Sequence, residues 1–289
     1  MKRMAMFFAT NMAIMAVLTT ASWIITSIFG IQLTATSHLL MYSAAIGFTG
    51  ALISLFMSKS MAKRSMNVQL IEQPANETEA WLVNTVSDQA KRSGLGVPEI
   101  GIFNSSDMNA FATGWSKNNA LVAVSTGLLS SMSRDEIEAV LAHEISHVAN
   151  GDMVTLTLIQ GVVNTFVYFL ASLVGRFVDR VVFKNERGHG FGFYITQMLA
   201  QVAMSFLASM IVMWFSRQRE FRADAGGANL ASREKMASAL ERLKSAHGPA
   251  EMPGEMAAFG IRGGKHLQKF FMSHPPLDER IAALRNTTG

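Results

Sequence analysis

The feature that most constrains this chain is a run of 55 residues, 4–58, without aspartate, glutamate, lysine or arginine. A helix that crosses a bilayer needs about 20 apolar residues, so this run has room for two helices. Residues 30–37 begin with glycine and are mostly small or polar, which predicts the turn between them. Two further uncharged runs, 153–175 and 188–216, are each long enough for another span. The sequence therefore predicts four hydrophobic helices in two hairpins.

Composition also favours a membrane protein. Hydrophobic residues make up 49% of the chain and charged residues 16%, against about 25% charged residues in soluble domains. The apolar content excludes a disordered chain, and the absence of cysteine excludes disulfide scaffolds and thiol chemistry. Two alternatives for the uncharged runs stay open: buried helices of a soluble core, for which little polar chain remains, and a cleaved signal peptide at the N-terminus.

Basic residues flank the first hairpin and predict its orientation. They are Lys2 and Arg3 before the hairpin and Lys59, Lys63 and Arg64 after it. By the positive-inside rule, both flanks face the cytoplasm. Such flanks explain the net charge of +4 without a nucleic-acid partner. The loop of the second hairpin, residues 176–187, carries four basic residues on what should be the outer side, so whether this hairpin crosses fully stays open.

The polar part of the chain comes in two pieces, residues 59–152 and 217–289, which the second hairpin at 153–216 separates. Neither piece looks like a stable domain by itself, but together they match one domain of roughly 150 residues. We therefore expect an N-terminal hairpin over 1–58, and a single polar domain assembled from both pieces.

Local patterns predict the elements of this domain. Helices are expected at 76–92, 217–230 and 233–246, and short strands at 97–103 and 121–125. The apolar face of the first helix consists of Trp81, Leu82, Thr85 and Val86. Residues 247–266, rich in glycine, proline and methionine, predict a mobile loop.

A further helix is marked at both ends. Ser133 and Glu136 form a capping box, which satisfies free backbone N–H groups at a helix start. Gly151 predicts the stop, so the helix should end near Asn150. Its expected buried stripe consists of Ile137, Val140, Leu141, Ile145 and Val148.

This capped helix contains His143, Glu144 and His147. Histidines four residues apart lie about 40° apart on one helix face, one turn from each other, so both can bind one zinc ion. Glu144 is rotated by about 100° and can take a proton from metal-bound water and pass it to a leaving amine. The pattern predicts a catalytic zinc site. The alternative is a pair of part-exposed histidines beside a solvated glutamate.

A catalytic zinc needs a third protein ligand and one open position. A histidine six residues after His147 is excluded, because that position is Met153. Glu220 is the candidate, and Asp224, one turn later, can accept a hydrogen bond from the second ring nitrogen of a ligating histidine. Small residues beside it would let the helices approach closely: Ala223, Ala225, Gly226, Gly227 and Ala228. The alternative is a charged helix in which Glu220 pairs with Arg217.

Three segments carry a family resemblance. They read HEISHVANGD at 143–152, WFSRQREFRAD at 214–224 and SHPPLDER at 273–280. With NAFATG at 109–114 and the two hydrophobic hairpins, they resemble the HtpX-type family of bacterial heat-shock membrane zinc metalloproteases, which are relatives of the CAAX prenyl endopeptidases. The resemblance covers essentially the whole chain.

The resemblance implies a zinc endopeptidase with one zinc ion per chain, held by His143, His147 and Glu220, with Glu144 as the general base. It also implies a mainly α membrane protein, in which four hydrophobic helices accompany one zincin-like α+β catalytic domain with a small sheet. Residues 59–152 and 217–289 would be the two parts of that catalytic domain.

The resemblance further implies a setting and partners. The expected location is the bacterial inner membrane, with the catalytic domain facing the cytoplasm. The expected partners are the lipid bilayer, polypeptide and misfolded or damaged membrane-protein substrates, and other membrane protease or quality-control proteins, in a role under stress.

Two features fit that frame. His274 and Arg280 could donate hydrogen bonds to the oxyanion of the reaction; alternatively, His274 caps a Pro-Pro turn and Arg280 pairs with Asp278. Residues 121–125 could offer a strand edge to an extended substrate, or could form an interior strand.

Two other functions compete with this prediction. A non-enzymatic membrane scaffold with a structural metal is disfavoured by the open zinc position and by Glu144. An intramembrane-cleaving metalloprotease would need the zinc helix to be a span, but the beginning of that helix carries four charged residues, which are costly in lipid. They are Arg134, Asp135, Glu136 and Glu138.

Overall fold

The computed structural model describes residues 35–185, 189–246 and 274–286. The first predicted span, most of the predicted turn at 30–37 and the predicted loop at 247–266 lie outside these ranges. In chain order the elements are α1 (Ala35–Ser65), β1 (Gln69–Leu70), α2 (Glu77–Arg92), β2 (Glu99–Phe103), β3 (Ala110–Ser116), β4 (Asn119–Ser125), α3 (Thr126–Ser131), α4 (Arg134–Asn150), α5 (Asp152–Val181), α6 (Phe191–Leu230), α7 (Arg233–Ala246) and α8 (Leu277–Asn286).

Three of these helices are long and apolar enough to cross a membrane: α1, α5 and α6. They correspond to three of the four predicted hydrophobic helices. Helix α1 begins at Ala35, so the last three residues of the predicted turn are helical. Helix α6 is a continuous helix of 40 residues. The separate helix predicted at 217–230 is therefore wrong, because the change from apolar to charged residues does not interrupt the backbone.

The chain divides into two compact units. One takes Met1–Ile53 and Thr157–Val212, and the other takes Ser54–Leu156 and Met213–Gly289. In the first unit, α1 and α5 pack closely through small residues: a Cβ on Gly47 would stand 2.6 Å from the backbone nitrogen of Thr165. Close contact through glycine is typical of helix pairs in membranes. The predicted boundaries after residues 58, 152 and 216 stay predictions.

The second unit contains a sheet of four strands in the order β1-β2-β4-β3. Strands β2 and β4 are parallel, and the other pairs are antiparallel. Because β4 pairs on both sides and all of 120–125 is buried, residues 121–125 form an interior strand, the second of the two predicted alternatives, and offer no free edge. The outer strand on that side is β3, which the sequence analysis did not predict because its small residues and the internal Gly114 give a weak strand pattern.

Helix α4 lies beside this sheet and packs against β3 and α7. The predicted capping box is present: Ser133 accepts from the backbone of Glu136, whose carboxylate accepts from the backbone N–H of Ser133. The helix ends at Gly151, whose φ of 69° is left-handed and favours glycine. All five residues of the predicted stripe of α4 are buried. All of them except Val148 belong to one core, together with Leu82 and Val86 of α2, Val122 and Val124 of β4, and Met236 and Leu240 of α7.

Candidate metal centre

Two histidine side chains of helix α4 converge on one point, where their Nε2 atoms meet. The Nε2 atoms of His143 and His147 lie 3.1 Å apart, as the spacing of one helical turn predicts. His143 is buried, with 7% of its surface exposed, and His147 is half-buried. Both Nε2 atoms therefore turn toward the interior of the second unit.

Helix α6 brings Glu220 to the same point. Its carboxylate is fully buried, with Oε2 at 3.5 Å from His143 Nε2 and Oε1 at 3.3 Å from His147 Nε2. The close approach depends on glycine, because a Cβ on Gly226 would stand 2.3 Å from Ser146 Oγ. A Cβ on Gly227 would stand 3.1 Å from the backbone nitrogen of His143. The predicted small-residue contact is confirmed at these glycines, whereas Ala225 is exposed.

These three side chains fit a metal ion. Their ligand atoms all lie within 4.8 Å of one another, and the contacts of 3.1–3.5 Å compare with roughly 3.3–3.6 Å between ligands of a tetrahedral zinc with bonds of about 2.0–2.2 Å. In the described part of the chain, Glu220 Oε1 is buried without a hydrogen-bond partner. A buried carboxylate oxygen of this kind is costly unless a cation binds it.

Each histidine is held from behind by its own carboxylate. His143 Nδ1 donates to Asp224 Oδ1 at 2.9 Å, in the position predicted for Asp224. His147 Nδ1 donates to Asp152 Oδ2 at 2.6 Å. Asp152 is a residue that the sequence reasoning missed. The available signal was Gly151, whose left-handed turn brings the next residue back toward the last turn of α4.

These carboxylates raise the pKa of both histidines. Burial acts to lower the pKa of His147, but its contacts with Asp152 and Glu220 outweigh burial and raise the pKa to about 9. Burial of His143 is likewise outweighed by its contacts with Asp224 and Glu220, so its pKa is raised. The carboxylates therefore favour positive charge at this point, whether protons or a metal ion supply it.

The remaining predicted site residues lie around the same point. Glu144 is partly exposed, next to the buried His143. His274 donates from Nδ1 to Glu220 Oε2 at 2.7 Å, and 59% of its side chain is exposed. His274 lies just before α8, so the segment that leads into α8 reaches the candidate metal centre in addition to α4 and α6.

Arg280 lies in a different environment from the one predicted. It is buried, with 6% of its surface exposed, and its Nε and Nη2 donate to the two oxygens of Asp224 at 2.7 and 2.5 Å. Its Nη1 lies 3.5 Å from Glu220 Oε2. Two of the donor nitrogens of Arg280 are thus directed at Asp224 and hold that carboxylate. The alternative pairing with Asp278 is not adopted, because Asp278 accepts from Lys244.

Comparisons with known proteins agree with this geometry. Residues 76–288 match the sequence profile of Peptidase family M48. The chain is 61% identical to Protease HtpX of Thioalkalivibrio sulfidiphilus (strain HL-EbGR7), covering 99% of both chains. It is 59% identical to Protease HtpX of Pseudoalteromonas atlantica (strain T6c / ATCC BAA-1087), again covering 99% of both.

A solved structure gives a similar fold. The chain matches Ste24p of S. mikatae with a TM-score of 0.64 and 21% identity, over 98% of this chain and 64% of that one. At this identity the likeness shows the fold alone. It extends over both units of the present chain.

Proposed function

The chain belongs to peptidase family M48, and from that premise we propose that it is a zinc endopeptidase whose metal is held by His143, His147 and Glu220. Its relatives, together with the three apolar helices among its described residues, make it a membrane-bound metalloprotease. The resemblance found in the sequence motifs is thereby confirmed. The identity of the metal and the role of each residue belong to the proposal.

One observation carries the choice of metal site: two imidazole nitrogens and one carboxylate converge, and a buried carboxylate oxygen lacks a hydrogen-bond donor among the described residues. Two histidines and one glutamate are a known ligand set of catalytic zinc, which leaves a fourth position for water. One zinc ion per chain satisfies this set.

Glu144 is the proposed general base. When bound, zinc lowers the pKa of water from 15.7 to about 7. Glu144, adjacent to the ligand His143 and partly exposed, accepts the proton of the attacking water. It then transfers that proton to the amine nitrogen of the leaving chain, so that one carboxyl group acts first as the base and then as the acid in the cleavage of the peptide bond.

His274 and Arg280 take different roles. His274, exposed and in contact with Glu220, is the proposed donor to the oxyanion that forms on the substrate carbonyl. Arg280 acts through Asp224, since it donates to both oxygens of that carboxylate. Asp224 in turn fixes the ring of His143.

The substrate is proposed to bind as an added strand on β3. Strand β3 is the outer strand of the sheet and packs against α4, which carries the zinc motif. Pairing between backbones gives affinity while reading little sequence. A protease of broad specificity follows from this mode of binding.

The physiological setting is also a proposal. We place the enzyme in the bacterial inner membrane with the second unit, a zincin-like domain, facing the cytoplasm, where it degrades misfolded or damaged membrane proteins under stress, alone or with other quality-control proteins. The bacterial relatives and the basic residues after α1 support this. The uncharged residues before Ala35 are proposed to form a fourth span.

Two variants of the full-length protein test the proposal. Glu144→Gln should keep one zinc ion per chain and lose proteolysis, because it removes the base and keeps the ligands. Glu220→Ala should lose both. Zinc is measured by atomic emission on purified protein, and proteolysis on an unfolded polypeptide. Unchanged proteolysis in Glu144→Gln would favour the scaffold alternative, and undiminished zinc in Glu220→Ala would exclude Glu220 as a ligand.

A further inference from the structure

A bulge near the end of β3 turns Trp115 away from the sheet. Gly114 pairs with Ala120 and Ser116 pairs with Asn119, so Trp115 lies unpaired between them. Gly114 has a φ of 151°, and a Cβ there would stand 2.1 Å from the carbonyl oxygen of Asn119. Only glycine fits this position. Bulges of this kind redirect a side chain, and here the redirected side chain is a large aromatic ring.

The redirected ring is exposed beside another exposed aromatic ring. Trp115 is 43% exposed and Phe56 is 58% exposed, with ring centroids 5.9 Å apart. Phe56 belongs to α1 and lies three residues before Lys59, the first charged residue after the uncharged run. The pair is thus at the position along α1 where the apolar stretch ends.

The turn that follows Trp115 contacts the ends of two candidate spans within the second unit. On one side, Lys59 of α1 donates to Asn119 Oδ1 at 2.8 Å. On the other side, a Cβ on Gly151, directly before α5, would stand 3.5 Å from Cε of the exposed Lys117. The tip of the β3–β4 hairpin therefore lies at the level where α1 and α5 change from polar to apolar sequence.

We propose that this hairpin tip, defined as residues 115–118 together with Phe56, inserts into the headgroup region of the bilayer. Tryptophan is enriched at this depth because its ring is amphipathic. Lys117 supplies a positive charge for lipid phosphates. Because the exposed aromatic pair adjoins the ends of the candidate spans α1 and α5, lipid is the partner that covers it.

The position of the tip defines a substrate class, provided that the proposed function holds. The strand proposed to receive the substrate, β3, ends at the lipid surface. A polypeptide that pairs with β3 then comes from the first residues outside the bilayer. The enzyme therefore selects segments of membrane proteins that emerge directly from the membrane.

Lipid contact can be measured on Trp115 itself. We place full-length Glu144→Gln protein in liposomes with lipids brominated near the headgroup end or the methyl end of their chains. In every variant Trp23 is replaced by phenylalanine, and only one of Trp81, Trp115 and Trp214 is kept. We expect Trp115 to be quenched most by bromine near the headgroup end.

The other two tryptophans are matched controls. Trp214, exposed in α6 near the end of its uncharged stretch, should be quenched by brominated lipid. Trp81 packs against the core of the second unit and lies 5.6 Å from the guanidinium of Arg134, so it should not be quenched. The proposal would be overturned if Trp115 were quenched only by acrylamide in water. It would also be overturned if a second copy or another surface shielded Trp115 from both quenchers. This result does not depend on proteolysis.

The substrate class is tested with Lys117→Glu, and Lys91→Glu on the exposed end of α2 is its control. The two variants are compared in liposomes that contain anionic lipid, on a membrane-protein reporter that is cut next to its own span and on a soluble peptide. In Lys117→Glu, cleavage of the reporter should fall roughly fivefold relative to cleavage of the peptide. This factor corresponds to about 1 kcal/mol, the contribution of one basic residue near such a surface. An equal change for both substrates would overturn the substrate class. Loss of cleavage by the unaltered protein would instead contradict the proposed function.

Discussion

At the scale of residues, the centre is arranged as two histidines that are each fixed by a separate carboxylate. Asp224 holds the Nδ1 atom of His143, and Asp152 holds that of His147. This leaves both Nε2 atoms directed at Glu220. Such carboxylates set the ring orientation and tautomer of a metal ligand, and removing one typically weakens metal binding by about 10–100-fold.

Asp152→Asn should weaken zinc binding by roughly this factor of 10–100, because the amide oxygen is a poorer acceptor for the Nδ1–H of His147. Zinc affinity is measured at a pH of about 9, where little proton competition at His147 remains, by competition with a chelating dye on the Glu144→Gln protein. Asp88→Asn, at an exposed position of α2, is the control and should leave the affinity unchanged. An unaltered affinity in Asp152→Asn would remove Asp152 from the support of the metal.

Zinc affinity should also rise with pH. Since the pKa of His147 is raised to about 9 in the metal-free site, its imidazole carries a proton at neutral pH that must leave before zinc binds. The apparent affinity therefore increases by about tenfold per pH unit for each proton released, up to pH about 9. The dye competition, repeated from pH 6.5 to 8.5, checks this. In Asp152→Asn the increase should be shallower near neutral pH, because the pKa of His147 falls when its carboxylate partner is lost.

At the scale of elements, the centre depends on two helices that approach unusually closely. Gly226 and Gly227 of α6 face Ser146 and His143 of α4, with no room for larger side chains. The adjacent Ala225 faces away and is exposed. Two neighbouring positions of one helix thus differ in whether they can accept a side chain.

Gly226→Val should destabilise the protein by about 1–3 kcal/mol, the usual cost of overpacking, and should reduce zinc retention because it pushes Glu220 away from α4. Ala225→Val is the matched control, with an expected cost below about 1 kcal/mol from helix propensity alone. Thermal unfolding and zinc content in detergent measure both effects. Equal behaviour of the two variants would mean that the helices are not in close contact at Gly226.

The elements that could be predicted from sequence are those with local signals. The capping box at Ser133 and the stop at Gly151 fixed both ends of α4, and the spacing of His143 and His147 predicted a shared face. Strand β4 was recognisable from its β-branched residues, but its interior position depends on pairing with β2 and β3, which no local pattern records.

The rest of the site could not be predicted for physical reasons of the same kind. Asp152 reaches His147 only because the chain reverses at Gly151, and Arg280 meets Asp224 only after α8 folds back on a distant part of the chain. The charge pattern predicted where lipid contact should stop along α6, but the helix itself continues through Ser216 to Leu230. Composition thus predicted environment better than it predicted helix ends.

At the scale of the whole molecule, the proposed metal site combines side chains from two stretches of chain that the candidate spans α5 and α6 separate. His143 and His147 precede α5, and Glu220 follows the uncharged part of α6. A ligand that binds only the folded state stabilises it, by about 4 kcal/mol when its concentration is 1,000 times Kd. Zinc should therefore contribute to the stability of the second unit as a whole.

Removal of zinc should lower the Tm of the Glu144→Gln protein in detergent, since that variant keeps all three proposed ligands. Glu220→Ala, which lacks one of them, should unfold at the same temperature with and without chelator. Thermal unfolding is followed by tryptophan fluorescence at matched protein concentration. A chelator effect of equal size in both variants would show that the metal stabilises the protein at another position.

The separation of the ligands along the chain also has a consequence during biosynthesis. About 70 residues lie between His147 and Glu220. Their synthesis takes roughly 4–15 s at about 5–20 residues per second. Until Glu220 leaves the ribosome, the nascent polypeptide lacks the carboxylate ligand, and a chain that stalls before that point never acquires it. If Glu220 is the third zinc ligand, as proposed, a fragment from interrupted synthesis cannot cleave neighbouring proteins in the membrane where the enzyme is being assembled.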